Sequence, residues 1–326
     1  MGKLSSSRGT AFVHVGTHKT GTTSLQVLLA SNDHALQRAD VFVPQTGRIS
    51  TASAGHHNIA WELANDPQFD PQHGTFAGLL REAAAANAST VCLTSEEFEF
   101  LNFDEAALKR MRDGLLAIGY KPKIILYLRP QADYLESLYA EASRVWNIEF
   151  GEFVDTIVAT GLYGRSRFEY DRLAGAFSAI FGKAQTIVRA YRSSQPPDAL
   201  LQDFIGIIAP NRLDLAQLTV PARLNPMADF SDVITFRERH LGCRVHHTMT
   251  DGQRFDPLNL SDILRLAAQF SRSNERLWRA YGAGIGCVSA GTFVRELITA
   301  LFRDRDSQNR KALIRDLIAN EHEVAA

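Results

Sequence analysis

Residues 12–30, FVHVGTHKTGTTSLQVLLA, join an apolar run to a helical pattern through a short turn. The apolar run at residues 11–16 predicts a buried strand, and residues 23–32 predict the helix that follows it. Gly16 and Gly21 punctuate the turn, and glycine permits the sharp backbone that such a turn requires. A buried strand that leads into a helix in this way indicates an α/β fold with a parallel sheet.

The same alternation of strand and helix continues along most of the chain. Three further apolar runs predict strands, at residues 90–95, 123–128 and 184–191. Two helical patterns lie between them, at residues 104–119, where Gly119 is the predicted stop, and at residues 130–146. Strands that alternate with helices predict a parallel sheet covered by helices on both faces.

The final third has a different character, because its pattern is helical and prolines interrupt it. We expect a single domain over residues 8–326, with an α/β core at 8–195 and a mainly helical part at 196–326. The most apolar stretch, residues 287–302, contains two charged residues. It therefore predicts an amphipathic helix that packs on the core, and we expect no membrane span.

The charges of the chain are balanced, with 35 Lys and Arg against 36 Asp and Glu. This balance argues against a nucleic-acid partner, and a small anionic ligand would need a local cluster of cations. The three cysteines show no C-x-x-C spacing, so neither a disulfide framework nor a zinc site is predicted. We expect a reducing, cytoplasmic location, since the first residues lack the apolar core of a signal peptide; they match the short myristoylation pattern at Gly2.

The turn after the first strand has the spacing of a phosphate-binding loop without its usual spelling. In the pattern G-x-x-x-x-G-K-[ST] a lysine follows the second glycine. Here Thr22 takes that position, and Lys19 lies inside the loop. The backbone N–H groups of such a turn converge at a helix N-terminus, whose dipole also favours an anion. We predict an anion site; the alternative is a tight turn in which Thr22 or Thr23 is only an N-cap.

The string GTHKTGTTSLQ resembles the 5′-phosphosulfate loop of sulfotransferases that use 3′-phosphoadenosine 5′-phosphosulfate (PAPS). The resemblance implies a P-loop-like parallel sheet flanked by helices, a helical C-terminal third, and a transfer that needs no metal. It assigns the 5′-phosphosulfate to six consecutive residues: Lys19, Thr20, Gly21, Thr22, Thr23 and Ser24. Lys19 is also expected to be catalytic, because it can stabilise charge that develops on the leaving phosphate.

A second anion site is predicted at the end of the third long apolar strand. Arg129 ends that strand, Pro130 suits the first position of the next helix, and Ser137 lies two turns along that helix. An arginine fork and a hydroxyl can hold one phosphate together. The same R-x₇-S arrangement holds the 3′-phosphate in the sulfotransferases that the chain resembles. The alternative is that Arg129 pairs with Asp133 and that Ser137 is a solvated helix residue.

The residue that takes the proton from an acceptor hydroxyl is expected near the end of the strand at residues 90–95. Glu96 follows that strand directly, and a glutamate in this region is the base in the carbohydrate-type sulfotransferases, so Glu96 is the predicted base. Strand alternation would aim Glu96 and Glu97 to opposite sides. Glu97 is also predicted to bind the substrate. His57 is the rival base, and His56 and His57 are predicted to contact the substrate from the loop at residues 44–57.

The sequence as a whole predicts a PAPS-dependent sulfotransferase that acts on a hydroxyl of a small molecule or glycan, with a carbohydrate or glycolipid favoured. The segment 270–282 resembles a C-terminal helix of Golgi-type and bacterial carbohydrate sulfotransferases through Asn274, Leu277 and Tyr281. Packing is expected there from Leu277 and Trp278, and a nucleotide contact from Arg272 or Arg276. The chain departs from the cytosolic small-molecule enzymes, whose RKG loop it lacks. The alternatives are a P-loop kinase or NTPase and a nucleotide-binding module without catalysis.

Overall fold

The computed structural model describes residues 7–143, 148–192, 195–196, 198–220, 257–283, 311–312 and 314–315. The chain divides into two compact units, which are described separately below. The first unit is Met1–Leu128 with Leu173–Leu224, and the second is Arg129–Arg172 with Asn225–Ala326. The sequence predicts one domain, with an α/β core at 8–195 and a mainly helical part at 196–326. The boundaries of the two compact units are different, and the single domain stays a prediction.

The strands of the described chain form two sheets. In chain order they are β1 Gly9–His14, β2 Val41–Phe42, β3 Thr90–Thr94, β4 Tyr120–Leu128, β5 Leu162–Tyr163, β6 Ser166–Arg167 and β7 Thr186–Ala190. Five of them make a parallel sheet in the first unit, in the order β2-β3-β1-β4-β7. The short strands β5 and β6 pair antiparallel in the second unit. The predicted parallel α/β sheet is therefore confirmed.

In chain order the helices are α1 Thr22–Ser31, α2 Asp33–Arg38, α3 His57–Leu63, α4 Phe76–Ala86, α5 Glu105–Ala117, α6 Gln131–Ala142, α7 Phe150–Thr160, α8 Tyr170–Phe181, α9 Ala199–Ile208 and α10 Leu260–Tyr281. The helices predicted at residues 23–32, 104–119 and 130–146 correspond to α1, α5 and α6 of the structure. Short 3-10 helices span Pro71–His73, Glu96–Phe103, Lys183–Gln185 and Leu215–Gln217. The predicted helix at 287–302 lies outside the described residues, as does the end of the one predicted at 130–146.

Both faces of the parallel sheet are buried. Phe12 of β1 belongs to an apolar cluster that also contains residues of α1 and α9, among them Leu25 and Phe204. Ala11 and Val13 alternate with Phe12 along the strand, so they lie on the opposite face, and both are fully buried. Burial on both faces is what makes β1 read as a continuous apolar run in the sequence.

The second unit packs α10 and α7 against α6. Asn274 of α10 is buried and exchanges two hydrogen bonds with Gln131 of α6, at 2.8 and 3.0 Å. Tyr139 of α6 meets the rings of Phe150 and Phe153 edge-on, with centroids 4.9 and 5.2 Å apart. Across the described ranges, no helix combines the length and the apolar character that crossing a bilayer demands.

Candidate functional site

The loop between β1 and α1 takes a conformation that few residues adopt. It covers residues 15–21, and three of its residues have positive φ: Gly16 at 41°, Lys19 at 66° and Gly21 at 79°. The loop is tied to β4, because Val15 N–H donates to Ile125 O at 2.9 Å and the Thr17 hydroxyl donates to Tyr127 O at 3.1 Å. A positive φ is uncommon for a residue other than glycine, so the backbone at Lys19 is held in place by the surrounding loop.

The start of α1 offers hydrogen-bond donors that the described chain does not use. Gly21 is the N-cap and has no side chain to cap the helix. Its carbonyl accepts from Ser24 N–H and Leu25 N–H. Within the described residues, the N–H groups of Thr20, Gly21 and Thr22 donate to no protein acceptor. The Thr22 hydroxyl is buried there and has no hydrogen-bond partner either. Several donors beside a helix dipole and one lysine form a site that suits an anion with several oxygens.

Three further residues of the predicted anion site, Thr20, Thr23 and Ser24, differ in how far they are buried. Thr20 is fully buried, and its hydroxyl donates to Thr17 O at 2.6 Å, so only its backbone faces a ligand. Thr23 and Ser24 are partly buried on the first turn of α1. The alternative in which Thr22 or Thr23 is the N-cap of this helix is wrong, because Gly21, which has no side chain, occupies the N-cap position.

The glutamates predicted from β3 lie on a 3-10 helix rather than on an extended strand. Ser95 is its N-cap, and the Ser95 hydroxyl accepts from Glu97 N–H at 3.1 Å. The predicted placement of Glu96 and Glu97 on opposite sides assumed strand alternation, and that assumption is wrong here because the strand ends at Thr94. Both carboxylates instead enter one network of polar side chains at the carboxyl end of the sheet, described next.

Glu96 joins α1 to the loop before α3. Its Oε2 accepts a hydrogen bond from Gln26 Nε2 at 2.8 Å and lies 3.9 Å from His57 Nδ1. The Ser53 hydroxyl donates to the other end of the Gln26 amide at 3.1 Å. The carboxylate of Glu96 remains partly exposed, with a side-chain exposure of 22%. The carboxylate of Glu96 is therefore oriented by Gln26 and still partly open to solvent.

Glu97 and a buried third glutamate, Glu99, hold the ring of His18. The His18 Nδ1 atom lies 3.2 Å from Glu99 Oε2, and His18 Nε2 lies 3.6 Å from Glu97 Oε1. Burial alone would lower the pKa of His18, but the two carboxylates outweigh it and raise the pKa to about 10. Burial would raise the pKa of Glu97, but His18 and the indole N–H of Trp61 lower it instead. His18 is therefore an imidazolium at neutral pH.

The two histidines of the predicted substrate loop have different surroundings. His57 is partly exposed at the start of α3, and its Nδ1 lies 2.9 Å from the Ser95 hydroxyl. His56 is fully buried: its Nδ1 accepts from Thr94 N–H at 3.2 Å, and its Nε2 donates to Pro44 O at 3.0 Å. Burial lowers the pKa of His56 to about 3, so the ring is neutral. His56 thus fastens the loop to β3, whereas His57 lies in the glutamate network.

Arg129 and Ser137 belong to the second unit and are both buried. Arg129 Nε lies 4.0 Å from Asp133 Oδ2, and the Arg129 carbonyl accepts from the Tyr170 hydroxyl at 2.6 Å. Ser137 is 5% exposed, so the alternative that made it a solvated helix residue is wrong. Another cation, Arg315, contacts this helix through Glu136 at 2.5 Å and Asp133 at 3.8 Å.

The C-terminal helix predicted at residues 270–282 is the end of α10, and Gly282 is its left-handed C-cap. Leu277 is fully buried, as expected, whereas Trp278 is 38% exposed. Arg276 Nε pairs with Asp171 Oδ2 at 2.6 Å within the second unit. The nucleotide contact predicted for Arg272 or Arg276 stays a prediction.

Sequence reasoning missed several members of the network around His18 and Glu96. Gln26 lies one helical turn after Thr22 on α1, so its position on the loop side of that helix could have been derived from spacing. Glu99, Trp61 and the charge on His18 had no such signal, because they depend on contacts across more than thirty positions of sequence. No cluster of metal-binding side chains occurs in the part of the chain that the structure describes.

No protein-family model matches this chain, and no curated protein matches it either.

Proposed function

We propose that this protein is a sulfotransferase that moves a sulfuryl group from PAPS to a hydroxyl group and releases 3′-phosphoadenosine 5′-phosphate. The observation that carries the proposal lies where the loop at residues 15–21 meets α1. The N–H groups of Thr20, Gly21 and Thr22 and the Thr22 hydroxyl lack acceptors there in the described chain. Lys19 lies inside that loop instead of after Gly21. This is the arrangement that the resemblance to the 5′-phosphosulfate loop predicts.

The donors of the loop suit the charge that such a transfer creates. The bond between sulfur and the bridging phosphate oxygen breaks, and its electron pair stays on that phosphate oxygen. A loose transfer of this kind builds negative charge on the leaving group, by analogy with phosphoryl transfer. Fixed N–H groups and an ammonium group stabilise that charge, and losing one such donor typically costs about 10²–10³ in rate. Lys19 is therefore proposed as a catalytic residue as well as a binding residue.

Glu96 is the proposed base, because its surroundings differ from those of the adjacent Glu97. The carboxylate of Glu97 faces the imidazolium of His18 and the indole N–H of Trp61, so its pKa is lowered and it is a poor proton acceptor. Glu96 accepts one hydrogen bond from Gln26 and keeps an exposed edge. The acceptor O–H gives its proton to Glu96 as the acceptor oxygen forms its bond to sulfur. His57, 3.9 Å away, is the alternative base.

The proposals for the 3′-phosphate site and for the acceptor come mainly from the sequence. Arg129 and Ser137 are proposed for the 3′-phosphate, on the strength of the R-x₇-S pattern and the burial of both side chains. A carbohydrate or glycolipid is the proposed acceptor, because the proposed base is a glutamate and the indole N–H of Trp61 donates to Glu97, the next residue in the chain. Aromatic side chains with one polar edge suit a sugar, which has apolar faces and hydroxyl rims.

Calorimetry with 3′-phosphoadenosine 5′-phosphate, ADP and ATP, each with and without magnesium, tests the proposal. We expect the 3′-phosphorylated nucleotide to bind at least tenfold more tightly than ADP, with no dependence on magnesium. Lys19→Ala should weaken that binding about tenfold or more, because it removes a charge-assisted contact to phosphate. Lys183→Ala, on a distant 3-10 helix, is the matched control and should bind like the wild type.

Transfer itself is tested with labelled PAPS and a panel of saccharides and phenols. Label should appear on saccharide hydroxyls, and Glu96→Gln should abolish the transfer while leaving nucleotide affinity unchanged. A preference for ATP with magnesium would instead identify a kinase or NTPase. Tight binding of the 3′-phosphorylated nucleotide without transfer to any acceptor would indicate a binding module.

A further inference from the structure

His18 lies in the phosphate loop, yet its side chain is directed at the 3-10 helix that follows β3. Its backbone N–H and its ring Nδ1 both lie 3.2 Å from one oxygen, Glu99 Oε2. Its ring stacks on Phe100 of the same helix, with centroids 5.0 Å apart and an angle of 24° between the ring planes. Main chain and side chain of one loop residue are thus attached to the same helix.

The contact between His18 and Glu99 joins two ionisable side chains and is largely shielded from solvent. Glu99 is fully buried, and its other oxygen, Oε1, accepts no hydrogen bond in the described part of the chain. A buried carboxylate needs a cation, and His18 is the residue that faces it. Hydrogen bonds between charged partners are shorter and stronger than neutral ones, so this contact resists separation of the loop from the helix.

The contacts continue from His18 to the residues beside the proposed base. Glu97 Oε1 faces His18 Nε2 at 3.6 Å, and Glu97 Oε2 accepts from the Trp61 indole N–H at 3.2 Å. Trp61 is on α3, the helix that begins at His57. Glu96 is adjacent to Glu97 in the chain and on the same 3-10 helix. A displacement of His18 would therefore remove the cation that faces Glu97, the carboxylate to which Trp61 donates.

We propose that His18 is a positioning residue that couples binding in the phosphate loop to the placement of Trp61 and of the 3-10 helix bearing Glu96. The proposal rests on the proposed function in one respect: the nucleotide that fills the loop. An anion held by the N–H groups next to His18 fixes the loop backbone, and the contacts to Glu99 and Glu97 carry that constraint to the acceptor side. Binding of the nucleotide would thereby fix the position of the 3-10 helix that bears Glu96, the proposed base.

Trp61 provides a direct readout, since it ends the series of contacts. The chain has three tryptophans, Trp61, Trp146 and Trp278, so Trp146→Phe with Trp278→Phe leaves only Trp61. In that background, titration with 3′-phosphoadenosine 5′-phosphate should change the indole fluorescence. His18→Gln, which keeps a polar side chain but not the charge, should remove at least four-fifths of the change. Its dissociation constant, measured by calorimetry, should stay within about threefold. His73→Gln, on an exposed 3-10 helix, is the control and should leave both signals intact.

The outcomes separate this inference from the proposed function. If the background protein does not bind the nucleotide, the proposed function fails. If binding persists and the fluorescence change survives His18→Gln, then the nucleotide affects Trp61 without His18 and the coupling is overturned. If binding leaves Trp61 unchanged from the start, the coupling is equally overturned. Should His18→Gln not fold, Glu97→Gln breaks the next contact in the series and should give the same loss of signal at unchanged affinity.

Discussion

Single residues in the loop between β1 and α1 combine unusual backbone angles with close neighbours, and Gly16 is the clearest case. Its φ is 41°, a backbone angle that residues other than glycine rarely adopt. A Cβ at this position would lie 2.8 Å from the Thr22 hydroxyl and 3.1 Å from His14 Nε2. Both of those polar atoms are buried without a hydrogen-bond partner among the described residues. Gly16 thus maintains the space in which the Thr22 hydroxyl stays available.

Gly16→Ala should therefore damage stability and ligand binding together. Left-handed backbone and the contact with Thr22 should cost about 2 kcal/mol of unfolding free energy. Affinity for 3′-phosphoadenosine 5′-phosphate should fall at least tenfold, because the displaced hydroxyl is one of the loop donors. Denaturant titration and calorimetry measure the two effects. Gly151→Ala, in an exposed position of α7 with no atom near the added Cβ, should be neutral or slightly stabilising.

The turn residues of the loop at 15–21 could be predicted from the sequence, whereas the side chains that contact His18 could not. The spacing of Gly16, Lys19 and Gly21 is local, and local spacing determines a turn between a strand and a helix. The charge of His18 depends on Glu97 and Glu99, which lie about eighty positions further along the chain. No pattern around residue 18 contains that information.

Among the secondary-structure elements, β3 and the 3-10 helix after it place the predicted base. The strands β1 and β3 run in register, with His14 beside Thr94, so the chain leaves both strands at one edge of the sheet. The apolar run predicted β3 correctly because that strand is buried on both faces. The helix was missed, although Ser95 followed by acidic residues is a helix-start signal, because the short turn was interpreted as more strand. The strand β2 was also missed, since two residues give no periodicity.

His56 joins two elements, β3 and the loop before α3, and its burial makes that link depend on pH. Its pKa is about 3 in the folded chain, against an ordinary value of 6.5. Because the folded-state pKa is the lower one, the unfolded chain binds a proton first, and stability is lost as pH falls from 6.5 toward 3. At pH 5 the loss from this one group should be about 2 kcal/mol.

The pH effect is measured as a difference between wild type and His56→Gln, which removes the titration. Wild type should be the more stable at pH 7.5, since the glutamine cannot reproduce both backbone contacts. The stability gap should narrow by about 2 kcal/mol between pH 7.5 and pH 5 in urea titrations. A gap that stays constant over this range would show that His56 is protonated equally in both states. The partly exposed His57, replaced by Gln in the same way, is the control.

For the molecule as a whole, the second unit contains an ion network that joins residues far apart in the sequence. Glu136 of α6 is fully buried, and its Oε1 atom lies 2.5 Å from Arg315 Nη2 and 3.3 Å from Leu258 N. Arg315 also lies 3.8 Å from Asp133. Sequence analysis could predict α6 from its pattern but not this network, because Leu258 and Arg315 lie more than one hundred positions away from Glu136.

Arg315→Met should consequently destabilise the second unit. The substitution removes a cation from a buried carboxylate, and breaking one side of such a pair costs about 3 kcal/mol. Hydrogen exchange of peptides from α6, followed by mass spectrometry, should show faster exchange there, while peptides from β1 and β3 keep their wild-type protection. Combining Arg315→Met with Glu136→Gln should recover much of the loss, because the uncompensated charge is then gone. Arg279→Met, at an exposed ion pair with Glu275, should change the exchange of α6 little. Unaltered protection of α6 in Arg315→Met would mean that Glu136 does not depend on this arginine.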